Sequence, residues 1–150
     1  YKIIGTYINS TMALHDAISK GADEALLLDK NGYVSEGSGE NIFSIKENIL
    51  STPKTDYCLN GITRQSVIKI ASDLGLNVEE KDVTYEELVQ SDEVFFSGTA
   101  VEITPISKID DVLIGLGSIG PVTEKLQNLY SDIVTGKNEL YKDWLSLVSD

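Results

Sequence analysis

The chain has 150 residues, 41% of them apolar and 24% charged, which suits one globular domain with a real core and is too short for two comfortable ones. Its net charge of −12 argues against nucleic acid or anionic membrane as a partner, so any anionic ligand must be held by local dipoles and a few placed cations. No apolar run approaches the roughly 20 residues that span a bilayer, and no basic stretch followed by an apolar one reads as a signal peptide.

The opening Tyr1-Lys2-Ile3-Ile4 reads as mid-strand without an initiator methionine, and the expectation is a fragment of a longer protein. Ser10 is expected to cap a helix running to about Lys20, with Ala13, Leu14, Ala17 and Ile18 on one face and Gly21 as its stop. Glu24 to Asp29 is a short apolar run ending in Lys30-Asn31-Gly32, a hairpin turn from which Tyr33 to Ser35 returns. A glycine-rich loop is expected over Glu36 to Glu40. Asn41 to Lys46 then alternates like a strand, and Glu47-Asn48 turns into Ile49 to Thr52, which Pro53 ends.

A turn-rich stretch from Lys54 to Gly61 precedes a helix marked by Val67, Ile68, Ala71 and Leu74 and stopped by Gly75. Asn77 to Thr84, with its charges, is expected as an edge strand, and Thr84 to Glu87 as a capping box. Glu93 to Ser97 and Val101 to Ile106 are expected strands around Gly98-Thr99-Ala100, followed by a hairpin at Ile109 to Ile114. Pro121 starts a helix whose apolar face is Val122, Leu126, Leu129, Tyr130, Ile133 and Val134, and an amphipathic segment from Leu140 to Val148 carries Trp144. The whole is expected to be a mixed α/β domain with much antiparallel pairing and no regular βαβ alternation.

Candidate sites lie between these elements. Leu59-Asn60-Gly61-Ile62-Thr63-Arg64 is a turn at the head of a helix, where exposed N–H groups and the helix dipole suit a phosphate; taken alone, a plain helix start is the simpler explanation, since most helix starts bind no ligand. Ser97-Gly98-Thr99-Ala100 could form an anion nest, but on its own a plain tight turn is the simpler explanation. Glu36 and Glu40 flank Gly37-Ser38-Gly39 and are either solvated surface or part of a site. A metal is discounted, since His15 is the single imidazole and sits on an expected helix, and no serine-histidine-acid pattern surrounds it. Cys58 is the only cysteine, which leaves no intrachain disulfide and fits a reducing cytosol; it is read as a spectator. Arg64 is the only arginine.

Taken in order, these motifs resemble one family. Lys2 and Tyr7 are followed by Tyr33-Val34-Ser35-Glu36-Gly37-Ser38-Gly39-Glu40-Asn41-Ile42-Phe43, then Gly61-Ile62-Thr63-Arg64. After these come Asp92-Glu93-Val94-Phe95-Phe96-Ser97-Gly98-Thr99-Ala100-Val101-Glu102-Ile103-Thr104-Pro105 and Gly120-Pro121-Val122-Thr123. Over nearly the whole chain this series resembles the class IV (fold-type IV) pyridoxal-phosphate aminotransferases. The Gly39-Glu40-Asn41 and Gly98-Thr99-Ala100 segments look like the branched-chain group. The resemblance implies an α/β (mixed α+β) fold, the C-terminal cofactor-binding domain of that family, with a largely antiparallel sheet or pseudo-barrel and surrounding helices.

It also implies roles. Lys2 would carry pyridoxal 5'-phosphate as a Schiff base and then move the substrate's α-proton. Glu36 would sit at the pyridine nitrogen and keep the ring protonated, Tyr7 would hydrogen-bond the phenolate oxygen, and Leu59 would pack on the ring. The phosphate would rest on the Ile62 and Thr63 amides and the Thr99 hydroxyl, with Asn41 beside Glu36 in the same pocket. Gly98, Thr99 and Ala100 would form the turn whose amides take the substrate carboxylate. Motif proximity suggests that Arg64 and Glu40 pair and fix the acidic loop.

The implied reaction is amino transfer between Leu, Ile or Val and 2-oxoglutarate, by a cytoplasmic homodimer acting on small amino acids and 2-oxo acids. Transfer on D-amino acids and aminodeoxychorismate lysis on the same scaffold are the alternatives, with a non-enzymatic module behind them. Two positions depart from the branched-chain pattern: Asn60 stands where proline is usual and Thr6 where asparagine is common. The family's smaller N-terminal domain, which supplies a phosphate-binding arginine, is not in these residues. The expectation is therefore that the 150-residue chain alone is weakly active or inactive.

Overall fold

The segments richest in β-branched and aromatic residues build the centre of the computed structural model, which describes residue 5 and residues 7–146. Lys2, Thr6, the opening strand and the last residues of the Leu140–Val148 segment lie outside that range. A first helix, α1 (Tyr7–Ser19), is followed by the antiparallel hairpin of β1 (Leu26–Leu28) and β2 (Val34–Gly37). Gly32, at φ +86°, makes the turn between them, a backbone region that costs glycine little. Next come β3 (Asn41–Lys46) and β4 (Ile49–Pro53), joined by Glu47 and Asn48 at φ 48° and 67°. Two successive left-handed residues match the twist of a two-residue hairpin.

The remaining elements are α2 (Ile62–Asp73), β5 (Asn77–Lys81), α3 (Tyr85–Val89), β6 (Glu93–Gly98), β7 (Glu102–Pro105), the small hairpin of β8 (Lys108–Ile109) and β9 (Val112–Leu113), and α4 (Pro121–Val134). A 3-10 helix, Glu139–Trp144, follows. The main sheet has five strands in the order β5-β4-β3-β6-β7. Every pairing in it is antiparallel except β4 with β5, which run parallel because α2 crosses over between them. The expected mixed, largely antiparallel architecture is the one observed, and the charged strand at Asn77 does form an edge.

Two apolar cores sandwich this sheet. Phe43, Ile45, Leu50, Phe95 and Ile103 pack against Val67, Ile70 and Ala71 of α2 and against Leu126 and Ile133 of α4. On the opposite face Ile42 and Val94 meet Val34, Val83, Leu88, Ile109 and Ile114. Strand β3 is therefore covered on both sides, and its first five residues are all buried. The alternation in its sequence identifies the element, although neither of its faces is left to solvent. Phe43 and Phe95 are partners in register and their rings stack with centroids 5.1 Å apart.

Several elements start or end at other residues than expected. Helix α1 begins at Tyr7, so Ser10 lies inside it and does not cap it. None of its residues is buried, and Ile18, assigned to an apolar face, is 55% exposed. Gly21 ends it as expected, at φ +86° and with its N–H donating to the Ile18 carbonyl. Strand β2 extends to Gly37, which shortens the glycine-rich loop. The capping box at Thr84 is present: its hydroxyl accepts from the Glu87 amide while the Glu87 carboxylate accepts from the Thr84 amide. In α4, Leu126 and Ile133 are buried but Val134 is exposed. Tyr141, not Trp144, anchors the C-terminal segment; its hydroxyl donates to Asp73 at 2.7 Å.

Candidate active site

The end of β2, the start of β3 and the loop 54–61 leave a cavity of about 340 Å³, closed on one side by Tyr7 and Ser10 of α1. Glu36 and Asn41 enter it from neighbouring strands, and Cys58 and Leu59 enter from the loop. The loop is pinned at its apex from both strands. The Leu59 amide donates to Glu36 Oε2 at 2.9 Å, and Asn41 Nδ2 donates to the Leu59 carbonyl at 2.7 Å. Ser35 Oγ adds a bond to the Tyr57 carbonyl at 2.7 Å. One peptide residue is thus held between a carboxylate and a carboxamide, which orients both side chains toward the cavity.

The acidic loop is tight. The Gly37 amide donates to the Glu40 carbonyl at 2.7 Å, and Glu40 Oε2 accepts from the Gly39 amide at 3.0 Å. A β-carbon at Gly37 would press on the Phe96 ring and the Glu40 carboxylate, so the glycine permits a close approach here. The same is true of Gly61, where a β-carbon would overlap Asn41 Oδ1. Gly61 is the residue before α2, with φ −68° and ψ 148°, and no side chain caps the helix. The first amides of α2, those of Ile62 and Thr63 among them, therefore lack a capping side chain, while the helix dipole is positive there.

The predicted site residues fall into two groups. Tyr7, Glu36, Asn41 and Leu59 line the cavity together. Ile62, Thr63, Gly98, Thr99 and Ala100 do not line it. Ile62 is 84% exposed and Thr63 is buried, so only backbone groups at these positions are suited to a ligand. Gly98 reaches the same end of the sheet through the β3–β6 pairing, which sets Ser97 opposite Asn41. A β-carbon on Gly98 would contact Glu40 Cγ at 3.5 Å, and Thr99 and Ala100 follow on an exposed turn. Lys2 lies outside the described residues. Among those described, no group of acidic, histidine and cysteine side chains is arranged to hold a metal, and no helix is long and apolar enough to cross a membrane.

The expected Arg64–Glu40 pair is not formed. Arg64 instead pairs with Glu80 on β5, Nη2 to Oε2 at 2.6 Å. Motif adjacency placed Arg64 near the acidic loop in sequence terms, but as the third residue of α2 its side chain reaches back over the β4–β5 edge. Its Nη1 donates to Asn60 Oδ1 at 3.4 Å, a contact that a proline at this position could not make. Cys58 is half-buried and lines the cavity. Burial pushes its thiol up to about 11, despite the opposing pull of Arg64, and so keeps it protonated.

Nothing local in the sequence marks Glu93 as a capping residue. It is buried, and its two oxygens accept from the Val122 and Thr123 amides at 3.0 and 2.7 Å, so it caps α4 as an anion at the positive end of the dipole. Gly120 has no room for a β-carbon beside that carboxylate. The signal was present as a glycine-proline helix start lacking any capping side chain of its own, but the partner lies 29 residues earlier in the chain.

The family model for amino-transferase class IV matches residues 1–109. This chain belongs to the class IV aminotransferases. The branched-chain-amino-acid aminotransferase of Pseudomonas aeruginosa is 54% identical over 96% of this chain and 47% of its own length. That of Escherichia coli (strain K12) is 43% identical over 97% of this chain and 47% of its own length. A solved T.th. branched-chain amino acid aminotransferase, complexed with N-(5'-phosphopyridoxyl)-L-glutamate, superposes with a TM-score of 0.96 at 47% identity. The match covers 99% of this chain and 50% of that one. The chain spans about half the length of the curated relatives it matches. A class IV chain accounts for the order of the motifs, and the fold explains Gly37, Gly61 and Gly120 as points of close approach.

Proposed function

We propose that this chain is the cofactor-bearing, C-terminal part of a branched-chain amino-acid aminotransferase that uses pyridoxal 5'-phosphate and transfers amino groups between Leu, Ile or Val and 2-oxoglutarate. The observation that carries this reading is the convergence of Glu36, Asn41 and Leu59 on one cavity, with Leu59 held by hydrogen bonds from both sides. At about 340 Å³ the cavity lies at the lower end of the roughly 300–1,000 Å³ range of small-molecule sites. The uncapped start of α2 supplies dipole and amides for a phosphate in a chain whose net charge is −12. The relatives' names and the phosphopyridoxyl ligand of the T.th. enzyme support the same cofactor and substrates.

When bound, the cofactor supplies the electron sink that makes the substrate's α-proton acidic. In this reading Glu36 would present its carboxylate to the ring nitrogen, oriented by the Leu59 N–H that it accepts. Asn41 holds the Leu59 carbonyl, and the Leu59 side chain would pack on the ring. Tyr7 would hydrogen-bond the ring oxygen. The Ile62 and Thr63 amides and the Thr99 hydroxyl would hold the phosphate, and the Gly98-Thr99-Ala100 turn would take the substrate carboxylate. Lys2 would hold the cofactor through Nζ and move the α-proton as base and then acid. We take the active protein to be a cytoplasmic homodimer; a single cysteine suits a reducing compartment, where disulfides are rare.

Borohydride trapping of the whole protein with pyridoxal phosphate, followed by peptide mapping, is expected to label Lys2; a label on another lysine refutes that assignment. Turnover of valine with 2-oxoglutarate is expected from the whole protein, and weak or no turnover from the 150-residue chain alone. Failure of the whole protein to bind pyridoxal phosphate would overturn the reading.

A further inference from the structure

We infer that Arg64 is a positioning residue: its buried guanidinium ties the two ends of the 54–61 loop together and thereby sets the α2 amides for the cofactor phosphate, resting on the cofactor site proposed above. Arg64 is 2% exposed and is the third residue of α2. Nothing in helix formation favours an arginine there. A cation in the first turn opposes the helix dipole, and burying it is costly unless it is paired and hydrogen-bonded.

Its partners show what is held in return. Nη2 donates to the Pro53 carbonyl at 2.9 Å and to Glu80 Oε2 at 2.6 Å, and Nη1 donates to Asn60 Oδ1 at 3.4 Å. Pro53 is the last residue of β4, and Asn60 is the residue before Gly61. One planar fork therefore touches both the departure and the return of the loop whose apex carries Leu59 and Cys58. Glu80, on the edge strand β5, supplies the counter-charge from outside the loop. With Glu36 and Asn41 gripping Leu59 from the strands, Arg64 fixes the other end of the same segment from beneath the helix start. Lysine offers a charge without the fork, so it cannot span Pro53 and Asn60 together.

A purely structural ion pair and a phosphate-positioning clamp differ in one measurable quantity. That quantity is the ratio of the dissociation constants for pyridoxal and pyridoxal phosphate, titrated by absorbance into the cofactor-stripped whole protein. The ratio isolates the phosphate's contribution and is insensitive to a general loss of stability. Arg64→Gln is expected to lower the ratio by about tenfold, and Arg64→Lys by an intermediate factor, as charge without the fork dictates. Folded Arg64→Gln protein with a ratio within about twofold of the parent overturns the clamp.

If Arg64→Gln does not fold, Glu80→Ala keeps the guanidinium and removes its half-exposed orienting partner. The ratio is then expected to fall by about threefold, whereas simple removal of a negative charge near an anion would raise it. An unchanged or raised ratio in Glu80→Ala overturns the clamp as well. A parent protein that binds neither compound refutes the cofactor site itself, an outcome distinct from parent binding with insensitive variants.

Discussion

Burial pushes the Cys58 thiol from 9.0 up to about 11, with Glu36, Glu80 and Asp56 adding to the shift and Arg64 opposing it. At pH 8 this leaves a thiolate fraction on the order of 100-fold below that of an ordinary cysteine. Iodoacetamide labelling of the folded protein is expected to be slow at pH 8 and to rise only as the pH approaches 11; a labelling midpoint near 9 would contradict it. Because the folded value lies above the unfolded one, the group's contribution to stability is complete below pH 9 and is lost as pH rises through about 11. A second residue-scale case is Glu93. Replacing it with alanine strips Val122 and Thr123 of their acceptor and leaves the α4 start without its anion. Glu93→Ala is expected to cost about 1–3 kcal/mol, read as a lower melting temperature with cofactor affinity unchanged. These residues were only partly legible in sequence. The single cysteine was visible, whereas the acceptor for the first amides of α4 was not, since hydrogen bonds across 29 residues leave no local pattern.

Helix α2 is the element on which the site depends most, and its start is set by a contact with β3. A β-carbon at Gly61 would overlap the Asn41 carboxamide, which itself holds Leu59. Gly61→Ala is therefore expected to displace Asn41, release the loop apex and weaken pyridoxal phosphate binding by about tenfold, with smaller loss of overall stability. Absorbance titration checks this, and unchanged affinity in a folded variant would mean that Asn41 does not position the loop. The helix itself was readable from Val67, Ala71 and the Gly75 stop, because helical periodicity and a glycine C-terminus are local. Helix α1 was less readable. Its start at Tyr7 lies three residues before Ser10, a residue whose cap preference had no need to be satisfied there.

At the scale of the whole molecule the sheet's burial on two faces governs stability. Phe43 is fully buried in β3, stacked on Phe95 and packed in the core beneath α2 and α4. Phe43→Ala is expected to cost about 3–5 kcal/mol, measured by urea denaturation; a loss under about 1 kcal/mol would mean that the two-faced sheet packs far more loosely than described. The same burial keeps β3 and β6 side by side, so that motifs far apart in the chain, such as Asn41 and Ser97, meet at one end of the sheet. Strand β3 serves both parts of the molecule: its Asn41 lines the cavity while Phe43 sits in the core.

The sequence by itself determined most elements, the mixed architecture, and the family through the order of its motifs. Periodicity, turn chemistry and glycine spacing are local properties that the chain carries wherever it folds. Only the tertiary structure decided which side chains meet. It brought Glu36, Asn41 and Leu59 to one cavity, turned Arg64 toward Glu80 and away from Glu40, and gave α4 a cap from β6. Those choices depend on strand register and on the sum of burial over two cores, and neither is written in any short segment.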